Sequence, residues 1–326
     1  MRPGTHLRAV PKDLRAELVR LRARDNWRNV CYLAGDWATI AAAVAFSALA
    51  GGRLSYALAV VVIGSRQRAL MNLVHEASHR KLFKSRRLND VAGRLLAGFP
   101  LLTSVSAYVC AHCRHHAALW DAERDPKTQR YAQLDLISPA ADRRFWWRHI
   151  VRPLALWHAP YNLASSLSWR GEDRSERVQR LAFWIGVLLV AYATGLWPGL
   201  VLYWLVPYCT TFQVIRYWTE MAEHAGLPTD DPWLATRNWD GSWAARWLLA
   251  PHRDDLYHLV HHLFPGIPHY RLGEAHRVLL AVPEYAAAHH CDGFFWPRRA
   301  DAPSVLQDIR RPDRNRPPAV AVQKAA

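Results

Sequence analysis

Residues 31–64 read CYLAGDWATIAAAVAFSALAGGRLSYALAVVVIG, an apolar run with a Gly-Gly pair at its centre. A second apolar run over 178–217 is interrupted near its middle by the sequence GLWPG. A bilayer core of about 30 Å takes about 20 helical residues per crossing, and Gly and Pro are turn formers. Each run therefore predicts a hairpin of two membrane-crossing helices, with the four crossings at about 31–50, 54–74, 178–197 and 199–217.

The charge distribution predicts the orientation of these crossings. The 326 residues include 42 Lys and Arg against 27 Asp and Glu, a net charge of +15 with histidine neutral. The basic residues concentrate in segments that flank the apolar runs, whereas the two hairpin turns are nearly uncharged. Because cytoplasmic flanks carry the excess of Lys and Arg, we expect the turns outside and both termini inside the cell. Two soluble core hairpins are the alternative, since Gly64 to Arg68 interrupts the second crossing.

We therefore predict an all-α integral membrane protein, with four transmembrane helices in two hairpins and a helical cytoplasmic cap. The predicted parts are a basic N-terminal segment (1–30), a membrane domain (31–280) and a C-terminal segment (281–326) whose Pro- and Arg-rich tail from Pro297 is disordered. Zinc-finger pairs, an aromatic RNA-binding box and a basic recognition helix are not recognisable, so nucleic acid is not an expected partner. Five cysteines without framework spacing indicate a reduced protein.

Nine of the 17 histidines fall into four short clusters at helical spacing. Residues three or four apart share one face of a helix, so each cluster can direct its ring nitrogens at one point. Imidazole is a ligand for iron, zinc, copper and nickel, and nine ligands exceed the needs of one ion. The pattern therefore predicts two metal ions. The candidate ligands, which are also the candidate catalytic residues, are His75, His79, His112, His115, His116, His224, His258, His261 and His262.

These clusters resemble the integral-membrane fatty acid desaturase and hydroxylase superfamily, whose di-iron centre is held by three histidine boxes. The first box resembles His75 and His79, the second His112, His115 and His116, and the third His258, His261 and His262. His224 matches the additional histidine between the later boxes. The segment HLFPGIPHY from His262 to Tyr270 is also similar, and the resemblance covers about residues 30–280. The stretch from Arg216 to His224 resembles a bacterial branch that includes the rhizobitoxine-type desaturases.

The resemblance implies two iron ions and O₂ as co-substrate. The expected reaction is desaturation of an aliphatic substrate, either fatty acyl or lipid-like. A hydroxylase of the same superfamily is one alternative. After the first hydrogen is removed, rebound of oxygen gives an alcohol and removal of a second hydrogen gives an alkene. The position of the substrate carbon relative to the irons decides between the two. A desaturase of an amino-acid-like or secondary-metabolite substrate is another alternative. No cysteines are spaced for a rubredoxin or ferredoxin, so we expect a separate electron donor (ferredoxin, rubredoxin or cytochrome b5-like) with its reductase, and membrane lipid as the environment.

Acidic residues near the clusters are candidates to orient the ligand imidazoles. Glu220 is the best placed by spacing, because it precedes His224 by four residues. Many members of the superfamily carry Asn shortly before the last box, where this chain has Arg253-Asp254-Asp255. The full set of acidic candidates is Asp90, Asp121, Asp125, Glu220, Glu223, Asp254 and Asp255.

Two further functions fit parts of the pattern. His75-Glu76-Ala-Ser-His79 also satisfies the motif of zinc metalloproteases, in which the Glu is the general base. That interpretation leaves both three-histidine clusters unexplained. A metal transporter or haem-binding membrane protein is disfavoured because its histidines would be expected within the spans, near the midplane. The eight remaining histidines are interpreted as polar surface residues, with His252 and His269 as the two that flank the last box.

Overall fold

A computed structural model describes residues 10–168, 170–253 and 255–311 of the protein. The chain divides into two compact units. The cap unit comprises Met1–Ala23, Ala111–Arg152 and Trp218–Ala326, and the span unit comprises Arg24–Cys110 and Pro153–Tyr217. Both are helical, and the strands found among the described residues are two segments of three residues each. The described residues are mostly helical, as the predicted all-α class requires.

The span unit begins with the predicted hairpin. Its helices are Arg28–Ala50 and Gly52–Ser78, and they join at Gly51 and Gly52, whose φ angles are +65° and +82°. Glycine adopts this left-handed region without steric cost, so the Gly-Gly pair ends one helix and starts the next. Further along, a Cβ at Gly64 would lie 2.6 Å from the Cβ of Thr211, so a larger residue would push these helices apart.

Three helices of the described chain are long and apolar enough to cross a membrane: Arg28–Ala50, Gly52–Ser78 and Trp197–His224. The segments Arg86–Leu101 and Val105–Ala117 meet at an angle of 94°, which is the geometry of a broken span or a re-entrant loop. If this pair counts as one span, the described chain has up to four candidate crossings. The predicted crossing at 178–197 corresponds to the helix Arg174–Ala193, which is not among these candidates. Its first two turns carry four charged residues: Arg174, Glu176, Arg177 and Arg180. The four-crossing topology stays a prediction.

One of these charged residues, Glu176, contacts the N-terminal end of helix Val105–Ala117. Glu176 is fully buried, and its carboxylate accepts hydrogen bonds from the backbone N–H groups of Val105 at 2.5 Å and Ser106 at 3.1 Å. It also accepts from the hydroxyl of Ser104 at 3.1 Å. The first N–H groups of a helix have no partner within the helix, and a carboxylate there is doubly favourable because of the helix dipole. Glu176 therefore fixes the start of this helix.

The remaining elements of the span unit are short. A π-helical turn Gly93–Gly98 and a 3₁₀ turn Phe99–Leu101 complete the segment that begins with helix Arg86–Ala92. The third candidate span is a chain of helix Trp197–Leu200, π-helical turn Val201–Leu205, helix Val206–Cys209 and helix Thr211–His224. Pro207 lacks an N–H donor and accounts for part of this irregularity. The last two elements are Arg152–Leu154, at the boundary between the units, and Ala159–Leu167.

The cap unit has its own apolar core, in which helix Lys12–Leu21 packs on helix Leu272–Leu279. The strands Asn238–Asp240 and His290–Asp292 pair in parallel, with Asn238 opposite His290. The other elements of this unit, in chain order, are Pro126–Gln133, Arg144–Trp146, Trp147–Val151, Trp243–Leu249, His258–Leu263, His269–Arg271, Pro283–Ala286 and Val305–Arg310.

The C-terminal segment differs from the expected disordered tail. Ser304 and Gln307 form a reciprocal capping box at the start of helix Val305–Arg310, and Arg237 donates to Asp308 at 2.8 Å. Val305, Leu306 and Ile309 are buried. Burial of one apolar face orders this part of the predicted tail, whereas residues 312–326 lie outside the described residues.

Candidate metal centre

The second and third histidine boxes meet within the cap unit. His112 and His116 lie one turn apart on helix Val105–Ala117, and their Nε2 atoms are 3.0 Å apart. The Nε2 of His261, on helix His258–Leu263, lies 3.0 Å from the Nε2 of His116. We call these three residues group A.

A second group forms beside the first. The Nε2 of His258 is 3.0 Å from the Nε2 of His224 and 3.1 Å from the Nε2 of His262. His115, His224 and His262 each offer a ligand atom within 4.8 Å of the others. We call His115, His224, His258 and His262 group B. The rings of His116 in group A and His262 in group B stack with centroids 4.3 Å apart, so the two groups are adjacent.

The spacing of the ring nitrogens fits metal ligation. Imidazole nitrogens bind first-row metals at about 2.1 Å, which places neighbouring ligand atoms about 3 Å apart at a right-angled coordination position. The Nε2 separations of 3.0–3.1 Å match this value. Two adjacent sets of such nitrogens fit two ions better than one.

The hydrogen bonding of His115 identifies its ligand atom. Its Nδ1 lies 2.9 and 3.1 Å from the two carboxylate oxygens of Asp125, and both side chains are completely buried. Asp125 also accepts from the N–H groups of Trp120 and Lys127 and from the hydroxyl of Thr128. An ionised carboxylate can only accept, so His115 carries its proton on Nδ1. The buried Nε2 has no hydrogen-bond partner within the described ranges, and a metal ion would supply one.

Glu223 is a second acidic group beside the histidines. Its Oε2 lies 3.6 Å from the Nε2 of His258, and Glu223, His224 and His258 form a third set of potential ligand atoms within 4.8 Å. A carboxylate here lowers the net positive charge of a bound cation. Glu223 was one of the acidic candidates in the sequence, as was Asp125.

An orienting role for the three acidic residues singled out by sequence stays a prediction. Glu220 accepts from Arg130 Nε at 2.9 Å, in an ion pair that is almost fully buried. Asp255 is buried, and Asp254 lies outside the described residues. Asp125 was among the acidic candidates, but helical spacing ranked Glu220 above it because Glu220 precedes His224 by one turn.

Burial keeps these histidines in the form that binds metal. It lowers the pKa of His258 and of His262 well below the usual value, and the neighbouring imidazoles lower both further. Only a neutral imidazole has a lone pair available for a metal ion. The two residues are therefore neutral and ready to act as ligands at pH 7.

The first box lies in the span unit. His75 is in the last turn of helix Gly52–Ser78, His79 caps that helix, and their ring centroids are 5.2 Å apart. His75 is buried and His79 partly exposed. The two rings therefore lie next to each other, as their spacing of four residues predicts.

Four of the histidines interpreted as surface residues are buried: His149, His158, His252 and His269. His252 and His269 are 3% and 0% exposed, and their ring centroids are 5.0 Å apart. The burial of His269 accompanies the packing of the segment after the third box, where Ile267 and Leu272 belong to the core of the cap unit. A sequence pattern does not show such packing.

The fold and the site define a membrane protein with clustered histidines that could hold metal ions. The sequence profile of the fatty acid desaturase family matches residues 51–293. The chain belongs to the fatty acid desaturase family, and it is an oxidoreductase. The zinc protease and transporter interpretations are not supported.

Three relatives illustrate the range of the family. The dihydrorhizobitoxine desaturase of Bradyrhizobium elkanii is 34% identical over 94% of this chain and 90% of its own length. An sn-2 acyl-lipid omega-3 desaturase (ferredoxin) from the chloroplast of Helianthus annuus is 26% identical over 81% of this chain and 64% of its own length. A chloroplast omega-3 fatty acid desaturase of Brassica napus is 26% identical over 81% of this chain and 70% of its own length.

Proposed function

We propose that the protein is an O₂-dependent membrane di-iron enzyme that desaturates an aliphatic substrate. The observation that carries the proposal is the pair of adjacent histidine groups in the cap unit, with ring nitrogens 3.0–3.1 Å apart. All-imidazole sites suit iron, and the family is generally iron-dependent. The reaction balances as –CH₂–CH₂– + O₂ + 2 e⁻ + 2 H⁺ → –CH=CH– + 2 H₂O.

We assign ligand roles to all nine cluster histidines. Groups A and B supply seven, and the sequence pattern of the first box supplies His75 and His79. When two irons are bound, they supply the redox chemistry that reduces O₂ and removes hydrogen from an unactivated C–H bond. The protein's own contribution is to keep the imidazoles neutral by burial, and to hold His115 in one tautomer through Asp125. Glu223 adds negative charge beside His258, and Asp254 and Asp255 remain candidates for a similar role.

The substrate class has two candidates. The acyl-lipid and fatty acid desaturases of plants favour a fatty acyl or lipid-like chain. The Bradyrhizobium relative matches over nearly the full length of both chains and favours an amino-acid-like or secondary-metabolite substrate. A hydroxylase differs only in the fate of the oxidised carbon, following R–H + O₂ + 2 e⁻ + 2 H⁺ → R–OH + H₂O.

The proposal includes an electron donor and a location. Because cysteines spaced for a ferredoxin or rubredoxin are missing from the sequence, the two electrons come from a separate ferredoxin, rubredoxin or cytochrome b5-like protein with its reductase. One plant relative names ferredoxin as its donor. We place the 31–280 domain in the bacterial cytoplasmic membrane with four crossings, the site on the cytoplasmic side, and 1–30 and 281–326 as terminal segments.

Metal analysis and product mass test this function together. Purified protein should contain about two irons per chain. With reductant, donor and O₂, an acyl lipid or an amino-acid-like substrate should lose two mass units; a gain of sixteen units carrying ¹⁸O would instead show hydroxylation. Stoichiometric zinc, or equal turnover without O₂, would overturn the proposal.

A further inference from the structure

The helix that carries the third box is capped by a residue far away in sequence. Helix His258–Leu263 has six residues, and its own N-cap, Tyr257, makes no side-chain cap hydrogen bond. Instead the Oδ1 of Asn238 accepts the backbone N–H of Leu259 at 3.1 Å. Asn238 is 2% exposed and Leu259 0% exposed, so water does not replace this hydrogen bond. A helix this short depends on such tertiary contacts.

The orientation of the Asn238 amide is determined by its partners. A backbone N–H can only donate, so the atom facing Leu259 is the oxygen. The amide nitrogen then donates to the hydroxyl of Tyr285 at 2.8 Å, and the hydroxyl proton is left for the Nδ1 of His276 at 2.6 Å. Tyr285 is fully buried. The result is a directed chain of three hydrogen bonds that runs from His276 to the first turn of the third-box helix.

We infer that Asn238 and Tyr285 are positioning residues for the third histidine box, an inference that rests on the proposed function. Leu259 is bonded directly to His258, whose Nε2 must stay about 3 Å from the nitrogens of His224 and His262. A shift of the first turn by a few tenths of an ångström changes both separations. The hydrogen-bond chain restricts that shift because Leu259, Asn238 and Tyr285 are all buried, where a lost hydrogen bond is not replaced by water.

Tyr285 also packs against apolar neighbours, including Trp233, so loss of stability alone would not establish a positioning role. The test therefore compares two substitutions that delete a buried tyrosine hydroxyl. Tyr285→Phe removes the link to Asn238. Tyr208→Phe is the matched control, since its hydroxyl donates to the Leu101 carbonyl at 2.8 Å in the span unit and Tyr208 is 2% exposed.

The measurement is the rate at which full-length, iron-loaded protein releases iron to a ferrous chelator, together with the melting temperature. We expect Tyr285→Phe to release iron about tenfold faster, the lower end of the change seen when such supporting groups are removed. Tyr208→Phe should stay within about twofold at a similar loss of melting temperature. Equal release rates in the two variants would overturn the inference.

Substitutions at Asn238 test whether iron retention depends on its hydrogen-bond acceptor or only on its side-chain volume. Asn238→Leu fills the same space without an acceptor, whereas Asn238→Asp keeps an oxygen for the Leu259 N–H. We expect fast iron release from Asn238→Leu and near wild-type retention in Asn238→Asp. Wild-type iron retention in Asn238→Leu would show that the cap does not position the third box.

Hydrogen exchange provides a readout that does not depend on metal. Backbone amides of 258–263 should exchange faster in Tyr285→Phe and Asn238→Leu than in wild type, and at the wild-type rate in Tyr208→Phe. Unchanged exchange in the first two would overturn the inference even if the wild-type protein bound no iron. Absence of iron from the wild type would by itself contradict only the proposed function.

Discussion

His115 and Asp125 form a buried pair in which the imidazole Nδ1 donates to a carboxylate oxygen 2.9 Å away, so the opposite ring nitrogen is left for a metal. The pair is only ten residues apart in sequence, yet the loop between the two residues turns back so that Trp120 and Thr128 also bind the carboxylate. Asp125 therefore fixes both the tautomer and the ring orientation of one ligand.

Asp125→Ala should lower iron affinity by about 10- to 100-fold, because the imidazole loses the partner that orients it. The measurement is iron content after dialysis against graded chelator concentrations. Asp121→Ala is the control, as Asp121 pairs with the exposed Arg124 and does not contact the histidines through any described hydrogen bond. Equal iron affinity in both variants would remove the role assigned to Asp125.

His261→Ala should abolish turnover and reduce iron to about one per chain, because His261 is a member of group A with its Nε2 3.0 Å from that of His116. His289→Ala should keep both irons, since His289 pairs with Asp308 outside either group. Iron content by elemental analysis and O₂ uptake provide the readouts. Full activity with two irons in His261→Ala would disprove the assignment.

Glu176→Gln should destabilise the protein by about 2 kcal/mol, the cost of removing the charge of a buried carboxylate that accepts several hydrogen bonds and pairs with the partly exposed Arg94. Arg94 lies 3.3 Å from the carboxylate and would lose its counter-charge. Glu17→Gln is the control, because its ion pair with Arg20 is largely exposed and worth little. Melting in detergent measures both, and equal melting temperatures would contradict the anchoring role.

The ion pair of Arg237 and Asp308 makes stability depend on pH. Burial alone would raise the pKa of Asp308, but Arg237 and His289 outweigh it and hold that pKa well below the usual value. The folded pKa lies below the unfolded one, so the pair stabilises the fold above about pH 4 and this contribution disappears as the pH falls further. Asp308→Asn should therefore cost about 2 kcal/mol at pH 7 and progressively less below pH 4. Thermal melts of the wild type and Asp308→Asn at pH 7 and below pH 4 measure this loss of stability. A loss of the same size at both pH values would contradict the prediction.

The four-crossing topology places Lys84 and Asp230 in the cytoplasm and Leu196 outside. Single cysteines at these exposed positions, in a variant without native cysteines, should show labelling of Leu196→Cys alone by an impermeant maleimide in intact cells. If helix Arg174–Ala193 does not cross the membrane, Leu196 is cytoplasmic and Asp230 is external. The reagent would then label Asp230→Cys and not Leu196→Cys, which would contradict the four-crossing topology.

The sequence by itself determined the local features of this protein. The Gly-Gly turn after Ala50, the helices on either side of it and the shared face of His112 and His116 all follow from backbone preference and helical period. These depend on residues within one or two turns of each other. The motif content was likewise sufficient to identify the family.

Only the tertiary structure decided which distant groups meet. His116 lies against His261, 145 residues away, and Asn238 caps the helix that begins 20 residues later. Asp125 and Glu223 lie beside the ligands and Glu220 pairs with Arg130, because the contacts of a carboxylate depend on how separate elements pack as well as on its spacing along one helix. Periodicity fixes the face of a helix, whereas packing fixes what that face contacts.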